Sequence, residues 1–530
     1  MFRSFTCSRQ PRRLLLIAWC ALLLLTLSSI AWAPSQPAPL RVVIVGGGPD
    51  PDNNQVAIES NVRYVGRLLP EATWRYTLFA DGDTDRATVL FEDDDQGLRP
   101  GERVLGLLLD GVNGGTRTRR MFRKPRLETR LDGASRLTDV RRIFGELRDE
   151  EQGEPLPVLL YFTGHGSPDD RSRRENNAYD LWGGSERLSV HELARQIARL
   201  PDSAPVTVVM VQCFSGAFAN LIFEDGDRDR GLINRDIAGF FATVKERPAA
   251  GCTPAINEAE YRDFTSYFFS ALTGRDRVGR TVTGADYNHD GRVGMDEAFC
   301  YALAHDDSID VPVCTSDAFL REFVRISDKQ VFETPFDRIR AWARPAQRAA
   351  LDLLSRRLGM RGQDRASVAY DSEARGDDLS HDDASIASAT QTFERERQLG
   401  RTTLFARWPA LRSASRLSDR NRAEAVRALD DETRAGRWDA LLRAEQAVDR
   451  SEDAKYRAQL DEALRLRFVR LAKSVVLAHR LQEDGSAQLR ERFAHLVEAE
   501  GRTPIPPVAS QAMTSVAPGV QRGEDAVTSR

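Results

Sequence analysis

Four short apolar runs constrain this chain more than any other feature. Arg41-Val42-Val43-Ile44-Val45 stops at Gly46-Gly47-Gly48, and Trp74 to Phe79, Val158 to Phe162 and Val206 to Val211 have the same form. Each is short, rich in β-branched or aromatic residues, and too continuously apolar to have one face in water. A strand that is apolar on both faces must be covered on both, the condition of a parallel sheet between helical layers. Helical patterns separate some of the runs. In the clearest, Ser189 is placed to cap a helix, Glu192 to close a capping box, and Leu193, Ile197 and Leu200 to form its buried stripe. The expected class is α/β.

From about Val331 the pattern turns helical. A helical segment is expected over 331–361, a polar linker over 362–388, where large apolar residues are few, and a second helical region over 389–503. In that region Tyr456, Leu460, Leu464, Phe468, Leu471 and Val475 recur at helical spacing, a stripe suited to packing against other helices. The Pro-, Ser- and Gly-rich stretch 504–530 reads as a disordered tail.

At the N-terminus, Arg3, Arg9, Arg12 and Arg13 precede an apolar run from Leu14 to Ile30 that closes with Ala31-Trp32-Ala33. Residues 1–33 therefore read as a secretory signal. The run is also long enough to span a bilayer, and Pro34 is unfavourable just after a cleavage site, so an uncleaved anchor through residues 14–33 is the rival. In both cases the basic flank stays cytoplasmic and the bulk of the chain is exported, to the periplasm, the medium or the outer face of the membrane. A net charge of -4 with both signs spread along the chain gives no electrostatic reason to expect nucleic acid as a partner. Cys213, Cys252, Cys300 and Cys314 lie in the body, too few for a disulfide scaffold; pairing among the last three is left open.

Two of the runs end in reactive residues. Val158 to Phe162 continues as Thr163-Gly164-His165-Gly166-Ser167, and Val206 to Val211 continues as Gln212-Cys213-Phe214-Ser215-Gly216. In open α/β sheets the carboxyl ends of the strands form the ligand edge, so adjacent parallel strands would bring His165 and Cys213 together. The chemistry needs that proximity: an ordinary thiol, with a pKa of about 8.5, is a weak nucleophile until a base activates it. Gly166 and Gly216 permit close approach of backbone, whose N–H groups can hold a developing oxyanion.

Tyr161-Phe162-Thr163-Gly164-His165-Gly166-Ser167 resembles the histidine motif of legumain-type asparaginyl endopeptidases, and Gln212-Cys213-Phe214-Ser215-Gly216 resembles their cysteine motif. Caspases and metacaspases share the logic. The resemblance covers residues 41–325 and implies a caspase-like α/β/α sandwich acting on protein or peptide. It makes His165 the general acid/base and Cys213 the nucleophile, with the Gly166 and Cys213 N–H groups as oxyanion hole and no cofactor for catalysis. An imidazolium beside the sulfur would lower the Cys213 pKa. Val211, Gln212 and Ser215 are the expected substrate-facing residues. The family carries a polar residue where this chain has Val211, so a preference for Asn or Asp does not carry over. Arg171, Arg173 and Arg174 are the nearest candidates for an acidic side chain.

Asp286 to Glu297 matches an EF-hand calcium loop. Asp286, Asn288 and Asp290 supply the first three ligands, Gly291 the turn, Arg292 a carbonyl and Glu297 the bidentate carboxylate. A single such loop implies one structural calcium ion. Asp81, Asp83, Asp85 and Glu92, and likewise Asp225, Asp227, Asp229 and Asp236, imitate the spacing without the glycine and read as polar loops. The expected function is an exported cysteine endopeptidase. Its rivals are a transamidase or ligase using the same pair, and a non-catalytic calcium-stabilised module whose C-terminal helices recruit a protein partner.

Overall fold

The four apolar runs lie side by side in one sheet. They form β1 (Arg41–Gly47), β2 (Trp74–Phe79), β3 (Val158–Gly164) and β4 (Val206–Met210), and β5 (Ile237–Phe241) and β6 (Val313–Cys314) extend them. The computed structural model describes residues 40–69, 74–92, 98–110, 120–149, 155–374, 378–412, 419–503 and 505. The expected export segment and tail lie outside these residues, except Ile505, which is buried. Among the described residues the strand order is β6-β5-β4-β3-β1-β2, parallel throughout except for β5 with β6.

Alternation along each strand feeds two cores. Val42, Ile44, Leu159, Tyr161 and Val209 face one apolar cluster, while Val43, Val45, Leu160, Phe162, Val208 and Met210 face the other. The helices that accompany the strands are α1 (Val56–Leu68), α2 (Pro100–Asp110), α3 (Leu137–Asp149), α4 (Val190–Ile197), α5 (Phe264–Thr273), α6 (Met295–His305) and α7 (Thr315–Phe323). Side chains of α1, α5 and α6 fill the first cluster, and those of α3, α4 and α7 the second. Ser189 caps α4 as expected, its Oγ accepting the Glu192 N–H at 3.3 Å. Glu192 does not reciprocate: its carboxylate takes Arg141, Arg195 and Gln196 at 2.7–3.0 Å instead.

Beyond α7 come α8 (Asp328–Phe332), α9 (Phe336–Trp342), α10 (Pro345–Arg357), α11 (Arg365–Ala374), α12 (Asp378–Arg407), α13 (Asp419–Arg434), α14 (Asp439–Asp484) and α15 (Ala487–Glu500). The expected linker 362–388 is therefore corrected, since α11 and the start of α12 occupy most of it. A scarcity of large apolar residues does not prevent a helix when alanine is frequent, as in Ala384, Ala387 and Ala389, and a neighbouring helix covers one side.

All described residues, those on either side of residue 325 included, belong to one compact unit. α14 has 46 residues, roughly 70 Å at 1.5 Å per residue. Its first turns join α2, α12 and α13 in a third apolar cluster. Its later turns send Leu464, Phe468, Leu471 and Val475 into the first cluster and Ala463, Leu477 and Leu481 into the second. The expected stripe thus packs on the sheet domain itself, apart from Tyr456, which is exposed. Among the described residues no helix is long and apolar enough to cross a membrane. Phe468 is fully buried and lies 6.1 Å, ring to ring, from Phe336. Phe468→Ala is expected to destabilise the whole unit, by about 3–5 kcal/mol, in one cooperative denaturant transition; a folded α/β portion persisting without the helices would contradict this.

Candidate active site

His165 and Cys213 follow the carboxyl ends of adjacent parallel strands, in the register that pairs Val158 with Val206 and Phe162 with Met210. The Val211 N–H still donates to Phe162 O at 3.0 Å, so the ladder holds up to the loops. Both residues are partly exposed, as a working pair must be. Their loops touch: a Cβ on Gly166 would come within 2.3 Å of the Cys213 carbonyl oxygen, so a side chain there would force the loops apart. Gly216 is equally constrained, since a Cβ would meet Thr243 O at 2.7 Å and Lys245 N at 2.8 Å.

Buried polar side chains hold this edge. Asn177 donates to Phe214 O at 3.1 Å and to Lys245 O at 3.0 Å, and its Oδ1 accepts the Asp169 N–H at 2.8 Å. It therefore ties the histidine loop to the cysteine loop. Tyr179 donates to Thr163 O at 2.9 Å just before the histidine. His165 Nε2 lies 2.9 Å from Gln55 Oε1, at the start of α1. Cys213 Sγ accepts the Ala249 N–H at 3.3 Å and lies 3.8 Å from Ala249 O. Phe214 follows in the left-handed region (φ 61°), with its N–H on Arg247 O at 2.9 Å, and a 3-10 helix begins at Ser215.

Gln55 and Asn177 had no sequence signal. Glutamine before a helix and asparagine in a turn are ordinary, and only the fold brings them to the pair. Of the expected substrate-facing residues, Gln212 and Ser215 are fully buried and Val211 nearly so, with Ser215 Oγ accepting the Thr243 N–H at 3.3 Å. Arg171 and Arg173 are exposed, whereas Arg174 lies over the Phe214 ring (5.7 Å), donates to Glu246 O at 2.8 Å and pairs with Asp170 at 3.2 Å.

The electrostatics run against the expected lowering of the thiol. Burial pushes the Cys213 thiol above its ordinary value; the Ala249 N–H opposes this, while Asp310 and Asp180 reinforce it. Burial lowers His165 below its ordinary value, against the Asn53 carbonyl and the charges of Asp180 and Asp50. Both shifts favour thiol and neutral imidazole over thiolate and imidazolium. The ring is then in the state needed to accept a proton when substrate arrives.

The other body cysteines, Cys252, Cys300 and Cys314, are free like Cys213. Cys252 donates to Gly164 O at 3.4 Å, beside the pair, and burial raises its thiol strongly.

In the acidic loop, Glu297 accepts the N–H groups of Tyr287 (2.8 Å), Asn288 (2.9 Å) and Gly294 (3.0 Å). Asp286 Oδ2 accepts Gly291 N–H at 3.0 Å, Asn288 Oδ1 accepts Asp290 N–H at 2.8 Å, and Asp290 Oδ1 accepts Arg292 N–H at 2.9 Å. Asp286 Oδ1 is buried with no hydrogen-bond partner. As they stand, no three His, Cys, Asp or Glu side chains among the described residues are gathered closely enough to hold a metal ion. No protein-family model and no curated protein matches the chain.

With a neutral resting pair, alkylation of Cys213 by a small reagent should rise with pH and reach its midpoint above that of an ordinary thiol (about 8.5). A midpoint well below that value would show a preformed imidazolium–thiolate pair.

Proposed function

We propose that this protein is an exported cysteine-type endopeptidase of the caspase/legumain type. The observation that carries the reading is that His165 and Cys213 follow the carboxyl ends of adjacent central strands and that their loops touch. The mostly parallel sheet with helices on both faces suits a caspase-like α/β/α sandwich. The apolar run behind Arg12 and Arg13 supports export.

The chemistry follows from the resting state. Cys213 Sγ attacks the scissile carbonyl carbon as its proton passes to His165. The oxyanion is held by the Gly166 and Cys213 N–H groups. His165 then protonates the leaving amine, and a thioester remains on Cys213. Water, deprotonated by His165, attacks the thioester, and the acid and the thiol are released. Gln55 orients the ring throughout, as the third member of such sites does.

Cys213→Ala and His165→Ala should each abolish cleavage of a diverse peptide mixture while the protein stays folded, because nucleophile and base act as one unit. Cleavage by the wild type that persists in Cys213→Ala would reject the assignment.

We further propose that Asp286, Asn288, Asp290, Glu297 and the Arg292 carbonyl hold one calcium ion. The donors suit a hard cation, and the buried, unpartnered Asp286 Oδ1 is the atom a cation would satisfy. Binding would exchange backbone N–H partners of Glu297 for the metal. The ion would clamp a junction, since the Met295 N–H donates to Arg502 O at 3.1 Å and Thr503 Oγ1 to Val293 O at 2.9 Å. Calcium at a hundredfold excess over Kd should stabilise the protein by about 2.7 kcal/mol, and Glu297→Ala should remove most of the rise in melting temperature. Identical melting curves with calcium and with chelator would dismiss the site.

A further inference from the structure

The nucleophile loop is fastened to the C-terminal helices by a buried polar chain. Arg467 of α14 is fully buried. Its guanidinium donates to Asp310 O at 2.6 Å, Asp306 O at 2.6 Å, Ser308 O at 2.7 Å and Leu303 O at 3.4 Å, and lies 3.6 Å from the Asp306 carboxylate. It therefore fixes the connection from the end of α6 to β6 from one point. Asp310, also fully buried, turns its carboxylate the other way: Oδ1 accepts the Ala250 N–H at 2.7 Å and Oδ2 the Phe264 N–H at 3.1 Å. Ala250 follows Ala249, whose N–H donates to Cys213 Sγ. A second link runs beside the first. Arg247, whose carbonyl accepts the Phe214 N–H, pairs through its guanidinium with Glu462 of α14 at 3.0 Å.

We infer that Asp310, held by Arg467, is a positioning residue for Cys213: it fixes the 249–250 backbone that sets the place of the sulfur. This rests on the peptidase reading for its effect on turnover, but not for its effect on the thiol. The alignment is specific to these side chains. A planar guanidinium reaches several carbonyls at once, which an ammonium cannot do, and the Asp310 side chain presents one oxygen to each of two N–H groups, where an asparagine would present an NH2 to one of them.

The test uses the full chain with Asp310→Asn and Arg467→Lys, each checked for folding by circular dichroism. The readouts are kcat and KM on a cleaved peptide, and the rate of Cys213 alkylation by iodoacetamide followed by mass spectrometry. In Asp310→Asn one backbone N–H loses its acceptor, the strap over the sulfur loosens, and two readouts move in opposite directions. The kcat should fall at least about tenfold, given that displacement of about 1 Å can cost 10²-fold, with KM little changed, while alkylation becomes severalfold faster. Arg467→Lys should shift both in the same sense. A folded Asp310→Asn protein with kcat and alkylation indistinguishable from wild type overturns the proposal, and so does loss of the fold in both variants, which would assign the pair to folding alone. If Cys213 of the wild type is alkylated but no peptide is cleaved, the peptidase reading fails, and the alkylation rates still decide the positioning role.

Discussion

The candidate site depends on the parallel pairing of β3 with β4 in one register. Side chains in a strand alternate between faces, so a slip of one residue would send Leu160, Phe162, Val208 and Met210 to the wrong core and shift His165 relative to Cys213. Burial on both faces therefore protects the alignment. It protects it only as far as the ladder runs. Past Gly164 and Met210 the two loops no longer pair with each other: Gly166-Ser167 pairs instead with Ala178-Tyr179, and Asn177, Tyr179 and the Ala249 backbone tie the loops by side-chain and strap contacts.

Those replacements are polar groups in a buried setting, where an unmet partner is costly and a met one specifies a single arrangement. Arg467 shows the balance. Removing a guanidinium from water is unfavourable, and the single ion pair with Asp306 at 3.6 Å would not offset it alone. Four backbone carbonyls complete its hydrogen bonding, and in return a connection with no regular structure is held in one shape. Burial raises Asp306 to about 6 and Asp310 well above the ordinary carboxylate range, with the two aspartates near one another. The same interior raises Cys213 and lowers His165, which favours the neutral forms of both.

The acidic loop follows the opposite arrangement. Its carboxylates, of which Glu297 is buried, satisfy themselves locally on backbone N–H groups, leaving Asp286 Oδ1 as the exception. Its neighbours are the residues just after α15, Arg502 and Thr503. α6 connects this loop at its first turn with the Arg467 clamp at its last, so one helix touches both features.

Local pattern was enough to foresee β1 to β4, though not β5 and β6, the Ser189 cap, and the placement of His165 and Cys213 past strand ends, because each follows from residue types within a few positions. It also showed which helix face of α14 would be buried. Pattern could not say what that face would meet, and so the helical region looked like a separate part and residues 362–388 like a linker. Gln55, Asn177, Asp310 and Arg467 are common residues in unremarkable settings, and no local signal marks them. Only the tertiary structure decided that they converge on Cys213 and His165, because their partners, the His165 ring for Gln55 and backbone groups for the others, lie tens to hundreds of positions away. The same holds for the state of the thiol: residue types name a nucleophile and a base, but burial, which the assembled fold alone determines, sets whether they rest charged or neutral.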